Sequence, residues 1–428
     1  MTTPPGAGLA RQMQIYLAGI SGTRPKVPTD LVALEDAARR AMSKRAWAYV
    51  AGGAGQGRTM RRNREAFERW SIVPRMAHGQ SQRDLTTTVV GQRLSSPLLL
   101  APVGALGMIT PDSDLQVGRA AAAQDVPYVI SNQGCSPMEQ IAAAMGQGQR
   151  WFQLYWSKDE DLVDSFIQRA EASGAAALVV TLDTTSLGWR TQDLDLGSLP
   201  FGQGVGIAQY TSDPRFAQIV AERVQTPTSG PKPRVTPAAA RTLVSVARNH
   251  PGDFRGNLTA PEPRAAVQTF LDIYSNPGLS WEHLATLRNR SRLPLVLKGI
   301  LHPDDARRAF DLGFDAIVVS NHGGRQVDLE RASLDALIDI RTAVGDDATV
   351  LFDSGIRTGA DAFVALALGA DAVLIGRPYA YGLAIAGQQG AEDVIANIRA
   401  ELDLTMALTG CADVAAITPD LLTQATHT

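Results

Sequence analysis

Three short apolar runs, Ala316-Ile317-Val318-Val319, Thr349-Val350-Leu351-Phe352 and Ala372-Val373-Leu374-Ile375, each end abruptly in polar and glycine residues. Those endings are Ser320-Asn321-His322-Gly323-Gly324-Arg325-Gln326, Asp353-Ser354-Gly355-Ile356-Arg357 and Gly376-Arg377-Pro378. A parallel strand buried on both faces has no polar side, so it reads as an unbroken apolar run. The helical patterns between these runs have the length a βαβ crossover needs. The polar endings are therefore strand C-termini. In a (β/α)8 barrel that face carries the active site, and the loops after strands 7 and 8 commonly hold a phosphate. Gly355, Gly359 and Gly376 let backbone N–H groups approach an anion, and Arg357 and Arg377 supply positive charge.

The full set of barrel strands is expected at residues 97–101, 128–132, 152–156, 177–183, 294–299, 316–321, 349–353 and 372–376, with ordinary helices between most of them, such as 112–124, 159–173 and 358–368. Before the barrel, residues 1–28 are rich in Pro, Gly, Ser and Thr and read as a loosely held arm that packs on a neighbouring subunit. Residues 29–428 read as one barrel domain. Asp30 is the expected N-cap of a helix over residues 31–45, and Trp47-Ala48-Tyr49-Val50-Ala51-Gly52-Gly53-Ala54-Gly55 ends a helix in glycines. The long gap over residues 184–280 is broken repeatedly, at Pro200, Gly202, Gly204, Gly206, Pro214, Pro227, Pro231, Pro233, Pro251, Pro261, Pro263 and Pro277 among others. So many breakers exclude one continuous element, and a long βα loop at the catalytic face reads as a lid or entrance wall.

At 428 residues the chain is long enough for two or three domains, but α/β barrels run long as one. A hydrophobic content of 45% with 19% charged residues fits a globular enzyme, and a formal charge of −3 offers no basic footprint for nucleic acid. Cys135 and Cys411, the two cysteines, form neither a disulfide framework nor a metal spacing, so a reducing cytoplasm is expected. The N-terminus has no charged segment followed by an apolar one, and the apolar stretch at residues 97–109 is too short and too broken to span a bilayer. None of the six histidines pair at metal-ligand spacing, so no metal is expected. Gly202-Gln203-Gly204-Val205-Gly206 neither follows a strand nor opens a helix, and so does not support a nicotinamide or nucleoside-triphosphate site.

Lys298-Gly299-Ile300, Ser-Asn-His-Gly-Gly-Arg-Gln at 320–326, Asp-Ser-Gly-Ile-Arg-Thr-Gly-Ala-Asp at 353–361 and Ile-Gly-Arg-Pro at 375–378 occur in this order and spacing. The set resembles the FMN-dependent L-2-hydroxy-acid oxidases and dehydrogenases, over residues of about 31 to 410. That resemblance implies an FMN cofactor, a 2-hydroxy-acid substrate and a homotetramer or homo-octamer. No haem-domain sequence precedes the barrel, so a flavocytochrome is not expected.

Oxidising a 2-hydroxy acid needs a base, and imidazole titrates near working pH, which makes His322 the candidate. The resemblance pairs Asp183 with it; the alternative for Asp183 is an N-cap. A guanidinium fork matches a carboxylate, and Arg325 and Arg190 match the family's two substrate arginines. Tyr49 and Tyr155 match residues at the substrate carboxylate and at the reacting hydroxyl, with rim packing as the alternative for each. Lys298 matches the cation near the flavin's N1 and O2. Ser131, Gln153 and Thr181 match polar groups at the ring edges, and backbone from Ala101 through Pro102 and Val103 to Gly104 matches the segment facing N5. Ser320, Asp353, Gly355, Arg357, Gly376 and Arg377 complete the cofactor set on the ribityl and phosphate side. Two departures matter: Gln133 stands where glycolate oxidases have tryptophan, and Gly104 stands where many members have alanine. The latter, with Gly188-Trp189-Arg190-Thr191-Gln192-Asp193-Leu194, resembles the lactate 2-monooxygenase branch. L-Lactate oxidation with O2, followed by decarboxylation in place, is thus the leading expectation. Simple oxidases and dehydrogenases releasing the 2-oxo acid remain the alternative, hydride and carbanion routes both stay open, and a barrel holding FMN without turnover is a third possibility.

Overall fold

The computed structural model describes residues 6–79, 81–225 and 236–425. Eight parallel strands close into a barrel: β1 (Leu98–Leu100), β2 (Tyr128–Ile130), β3 (Arg150–Leu154), β4 (Leu178–Thr181), β5 (Leu295–Ile300), β6 (Ala316–Val319), β7 (Val350–Phe352) and β8 (Ala372–Ile375). Each pairs with its neighbours in chain order, and β8 returns to β1. Alternation along each strand divides the core in two. Leu99, Val129, Trp151, Val179, Val296, Val318, Leu351 and Leu374 fill the barrel interior, while Leu100, Ile130, Phe152, Val180, Leu297, Val319 and Phe352 face the helices. A hairpin of Thr87–Val89 and Gln92–Leu94 plugs the N-terminal end, where Val89 and Leu94 join the interior layer and Gln92 Oε1 accepts from Trp151 Nε1 at 2.9 Å. The bottom is therefore sealed, and only the C-terminal face is open for chemistry.

Two elements differ from expectation before the barrel. The segment expected as a loose arm contains a helix, Ala7–Ile20, docked on the C-terminal helix Arg377–Thr409. Gly8 makes the docking possible, because a Cβ there would lie 2.7 Å from Ala400 O, and its N–H donates to buried Asp403 at 2.8 Å. Arg83 clamps the same carboxylate. Residues 1–5 of that segment lie outside the described residues. The helix begun by Asp30, whose carboxylate accepts from Ala33 N at 2.7 Å, stops at Ala41 instead of reaching 45. Ser43 then caps a second helix, Lys44–Ala51, by accepting from Ala46 N at 3.1 Å. A serine side chain that can satisfy an N-terminal amide favours starting a new helix over continuing the old one.

The insertion over residues 184–280 is largely helical, with Pro214–Gln225, Pro237–Asn249 and Glu262–Ile273 as its main elements; Pro227, Pro231 and Pro233 lie outside the described residues. Its inner surface is an aromatic cluster: Tyr210 meets Phe166 at 4.9 Å and Phe270 at 4.8 Å, and Phe201 meets Phe270 at 5.1 Å. These side chains are buried, so this part of the insertion is a fixed wall against the barrel.

Candidate active site

The C-terminal face opens into a cavity with about 950 Å3 of empty space, its open mouth included, within the range of cofactor and substrate clefts. Tyr49, Ala101, Pro102, Val103, Gly104, Ser131, Tyr155, Arg190, Lys298, His322, Arg325, Asp353, Gly355, Arg357, Gly376 and Arg377 all line it. Four of the residues singled out from sequence stand one layer back: Gln153, Thr181, Asp183 and Ser320.

His322 follows β6 with φ +56°, a left-handed conformation uncommon outside glycine, and its N–H donates to Ser320 Oγ at 3.0 Å. Nδ1 meets Asp183 Oδ1 at 2.7 Å, and Thr184 Oγ1 joins the same carboxylate at 3.0 Å. With the proton on Nδ1, the lone pair lies on Nε2, the ring nitrogen without a protein partner among the described residues. Burial lowers the His322 pKa, and Asp183 only partly offsets this. Burial pushes the Asp183 carboxyl up, but His322 and Lys298 beside it outweigh that and hold it at about 2. Asp183 can approach so closely because Gly299 carries φ +102° at a register shift of β5, where a Cβ would come within 2.9 Å of the Asp183 side chain.

Lys298 is buried and contacts Asp353 Oδ2 at 3.0 Å and Ser320 Oγ at 2.7 Å. Burial lowers its pKa, yet Asp353 and Asp183 more than compensate, so the ammonium is retained. Ser320, placed by sequence among the cofactor groups, instead bridges Lys298 and the His322 backbone beneath the cavity floor.

Four arginines at the cavity, Arg190 buried and Arg325, Arg357 and Arg377 half-buried, have no carboxylate within ion-pair distance among the described residues. Arg325 donates to Tyr49 O and to Gly52 O, and Arg377 donates to Val50 O at 3.1 Å and Gly52 O at 2.9 Å. Those acceptors are the carbonyls that the helix Lys44–Ala51 leaves unpaired at its C-terminus, where cations are favoured. The glycines ending that helix thus seat it over the barrel mouth, and the Arg325 guanidinium sits 4.9 Å from the Tyr49 ring. Burial and then Arg190 pull the Arg325 pKa to about 9; burial and then Arg357 pull Arg377 to about 10. Uncompensated positive charge of this kind calls for anions, one near Tyr49 and Arg190 and another between Arg357 and Arg377.

The remaining polar groups fit a planar heteroaromatic ring. Gln153 Oε1 accepts from Asn132 N at 3.0 Å, which turns Nε2 outward with no partner, and Thr181 Oγ1 is also buried and unpaired. FMN supplies acceptors at the edge of a flat ring and a phosphate for the two arginines, so the residues present fit it.

Several contributors were not singled out from sequence. Thr184 adjoins Asp183 and lines the cavity, and Gln326 lies inside the quoted 320–326 motif; it donates to Asp183 O at 2.6 Å and Ser186 O at 2.9 Å while accepting from Arg190 at 2.8 Å. It pins the loop after β4 to the loop after β6. Asn132, which accepts from Tyr210 OH at 2.9 Å, links the insertion to Gln153. The first two adjoin motif residues and were open to notice; nothing in sequence spacing joins Tyr210 to Asn132.

A barrel with a His–Asp pair, arginines without carboxylate partners and ring-edge donors at its C-terminal mouth defines a flavin-binding oxidoreductase class. The chain belongs to the FMN-dependent dehydrogenase family, which it matches over residues 38–424. It is 42% identical over 417 residues to the FMN-dependent alpha-hydroxy acid dehydrogenase qulF of Penicillium citrinum, covering 97% of this chain and 96% of that one. Identity to an L-lactate oxidase of Lysinibacillus sphaericus is 38%, covering 94% of both. Among solved structures, mandelate oxidase with (S)-4-hydroxymandelic acid superposes with a TM-score of 0.76 at 33% identity, over 93% of this chain and 99% of that one. The protein is an FMN-dependent 2-hydroxy-acid oxidoreductase. No helix among the described residues is long and apolar enough to cross a membrane.

Proposed function

We propose that the protein oxidises a short L-2-hydroxy acid, L-lactate being the first candidate, and passes the electrons to O2. The observation that carries this reading is the His322–Asp183 pair at 2.7 Å, on the same cavity as the two unpaired arginines Arg190 and Arg325. Arg325 and Arg190 bind the substrate carboxylate, with Tyr49 beside them, and Tyr155 contacts the hydroxyl. His322 Nε2 takes a proton from the substrate, and Asp183 stabilises the imidazolium that results. Bound FMN accepts the two electrons. Lys298, Gln153, Thr181 and Ser131 would hold its ring, and Arg357 and Arg377 would hold its phosphate. The test is anaerobic: L-lactate and related L-2-hydroxy acids should bleach the yellow protein within seconds. A flavin left oxidised by all of them would remove the reading and leave a barrel that binds FMN without turnover.

Two fates follow for the 2-oxo acid and peroxide. The buried aromatic wall supports retention, in which peroxide attacks pyruvate to give acetate, CO2 and water, as in a lactate 2-monooxygenase. Release as pyruvate and peroxide is the second reading, and it has its own support. The absent methyl at Gly104 leaves no void, because Gln133 takes that space: a Cβ on Gly104 would lie 2.8 Å from Gln133 Cβ. We further propose a homotetramer or homo-octamer in the cytoplasm. Leu9, Met13, Leu17 and Ile20 leave an exposed apolar stripe on the first helix, and both cysteines are free. A monomeric mass by light scattering would remove the oligomer.

A further inference from the structure

Gln133 brings to the cavity wall a hydrogen-bonding group that no part of the protein uses. The residue is 7% exposed and lines the cavity, yet its side-chain amide has no protein partner among the described residues. Its backbone, by contrast, is fixed: the N–H donates to Ser131 Oγ at 3.1 Å, and the carbonyl accepts from Ala105 N at 2.9 Å. Neither side-chain amide atom is among the fully buried unpaired ones, so the group faces the cavity, where whatever enters either bonds to it or leaves it unpaired.

Its neighbours place it on the substrate side. A Cβ on Gly206 would lie 3.0 Å from both Gln133 O and the Phe201 ring, and Phe201 packs edge-on against Tyr49, over whose ring Arg325 sits. Gly104 makes room for the side chain, since a Cβ there would come 2.8 Å from Gln133 Cβ and 3.3 Å from Oε1. The missing methyl and the free amide therefore form one feature.

We propose that Gln133 is a specificity-determining residue whose amide binds a hydrogen-bonding group on C3 of the substrate, so that the enzyme prefers L-2-hydroxy acids carrying a hydroxyl or carbonyl there over those carrying an alkyl group. This rests on the reading that Arg325 and Arg190 hold the carboxylate and His322 takes the proton, and it refines the substrate: L-lactate, with no oxygen on C3, turns over at lower kcat/KM than L-glycerate. A neutral amide can donate to a C3 oxygen and accept from a C3 hydroxyl. A site that expects such a bond discriminates strongly against an analogue lacking it, because the amide stays unpaired in that complex.

L-Glycerate and L-2-hydroxybutanoate make the comparison, since they differ only by a hydroxyl or a methyl on C3. Wild-type protein should favour L-glycerate in kcat/KM by about tenfold or more. Gln133→Leu, close in volume, should lower that ratio to below one by slowing L-glycerate and improving L-2-hydroxybutanoate. Gly104→Ala should shift it the same way by displacing the amide. If Gln133→Leu does not fold with FMN, Gln133→Asn, which withdraws the amide by one methylene, should also lower the ratio. An unchanged ratio in a folded variant, or equal losses on both acids, overturns the proposal, because the amide would then serve the cofactor or the fold. Failure of every L-2-hydroxy acid, L-lactate included, to bleach the wild-type flavin overturns the reaction reading and this proposal together. Bleaching with an unchanged ratio overturns this one alone.

Discussion

At the scale of single residues, the His322 region is arranged so that a half-buried imidazole stays neutral until substrate arrives. Ser320 fixes its backbone, Asp183 fixes its tautomer, and the left-handed φ turns the ring toward Asp183. His322→Gln should keep the fold and the yellow colour, because glutamine can still hydrogen-bond to Asp183, while flavin reduction by substrate slows by about 10²–10⁴-fold. Stopped-flow absorbance reads both. The pH profile follows from the direction of the shift. Burial lowers the His322 pKa below its ordinary 6.5, so the neutral base persists under mildly acid conditions and the rate falls only as pH drops through that lowered value. An acid limb centred above 6.5 would argue against His322 as the titrating base. Of the candidate site, the side chains on strand-end motifs were legible, since polar residues after an apolar run have few structural uses. The work of Ser320 was not, because its hydroxyl faces Lys298 beneath the cavity floor and not the opening itself.

At the scale of elements, the eight strands stand within a few residues of their expected positions, because burial on both faces leaves an unmistakable apolar run. Where expectation failed, the deciding contact was distant in sequence. Gly8 reads as flexibility until it is placed against Ala400, and Phe201, Tyr210, Phe270 and Tyr274 form one cluster only after the insertion folds. The break between the helices Leu31–Ala41 and Lys44–Ala51 turns on the single Ser43 cap. Under the proposed reaction, the insertion is the element expected to govern product fate. Its inner wall is anchored through Tyr210 to Asn132 and through Phe201 to Tyr49. We expect escape to pass Leu187, which lines the cavity and is exposed. If that route is slower than peroxide attack, L-lactate gives acetate and CO2, since lid opening often governs release. We expect less than one peroxide per O2 consumed, with acetate as the balance, measured with and without catalase. One pyruvate and one peroxide per O2 would establish the simple oxidase instead.

At the scale of the whole molecule, a net charge of −3 hides a strongly positive interior at the barrel mouth. Burial and then Arg357 lower the Arg377 pKa, and burial with Arg64 lowers that of Arg357, so without an anion the folded state contains a strain on these cations that the unfolded chain relieves. A phosphate bound there removes that strain and stabilises the fold by linkage, by about 2.7 kcal/mol at a ligand concentration 100 times Kd. FMN added back to protein stripped of flavin should therefore raise Tm by several degrees. Riboflavin, which offers the same ring without the phosphate, should raise it much less at equal concentration, and inorganic phosphate alone should produce a small rise. Arg377→Met should bring the FMN and riboflavin shifts together, because the Arg357 guanidinium alone cannot clamp the group from two sides. Differential scanning fluorimetry reads all of these in one experiment. Equal shifts from FMN and riboflavin in the wild type would mean that the ring carries the binding energy, and that the two arginines have some other anion as their partner.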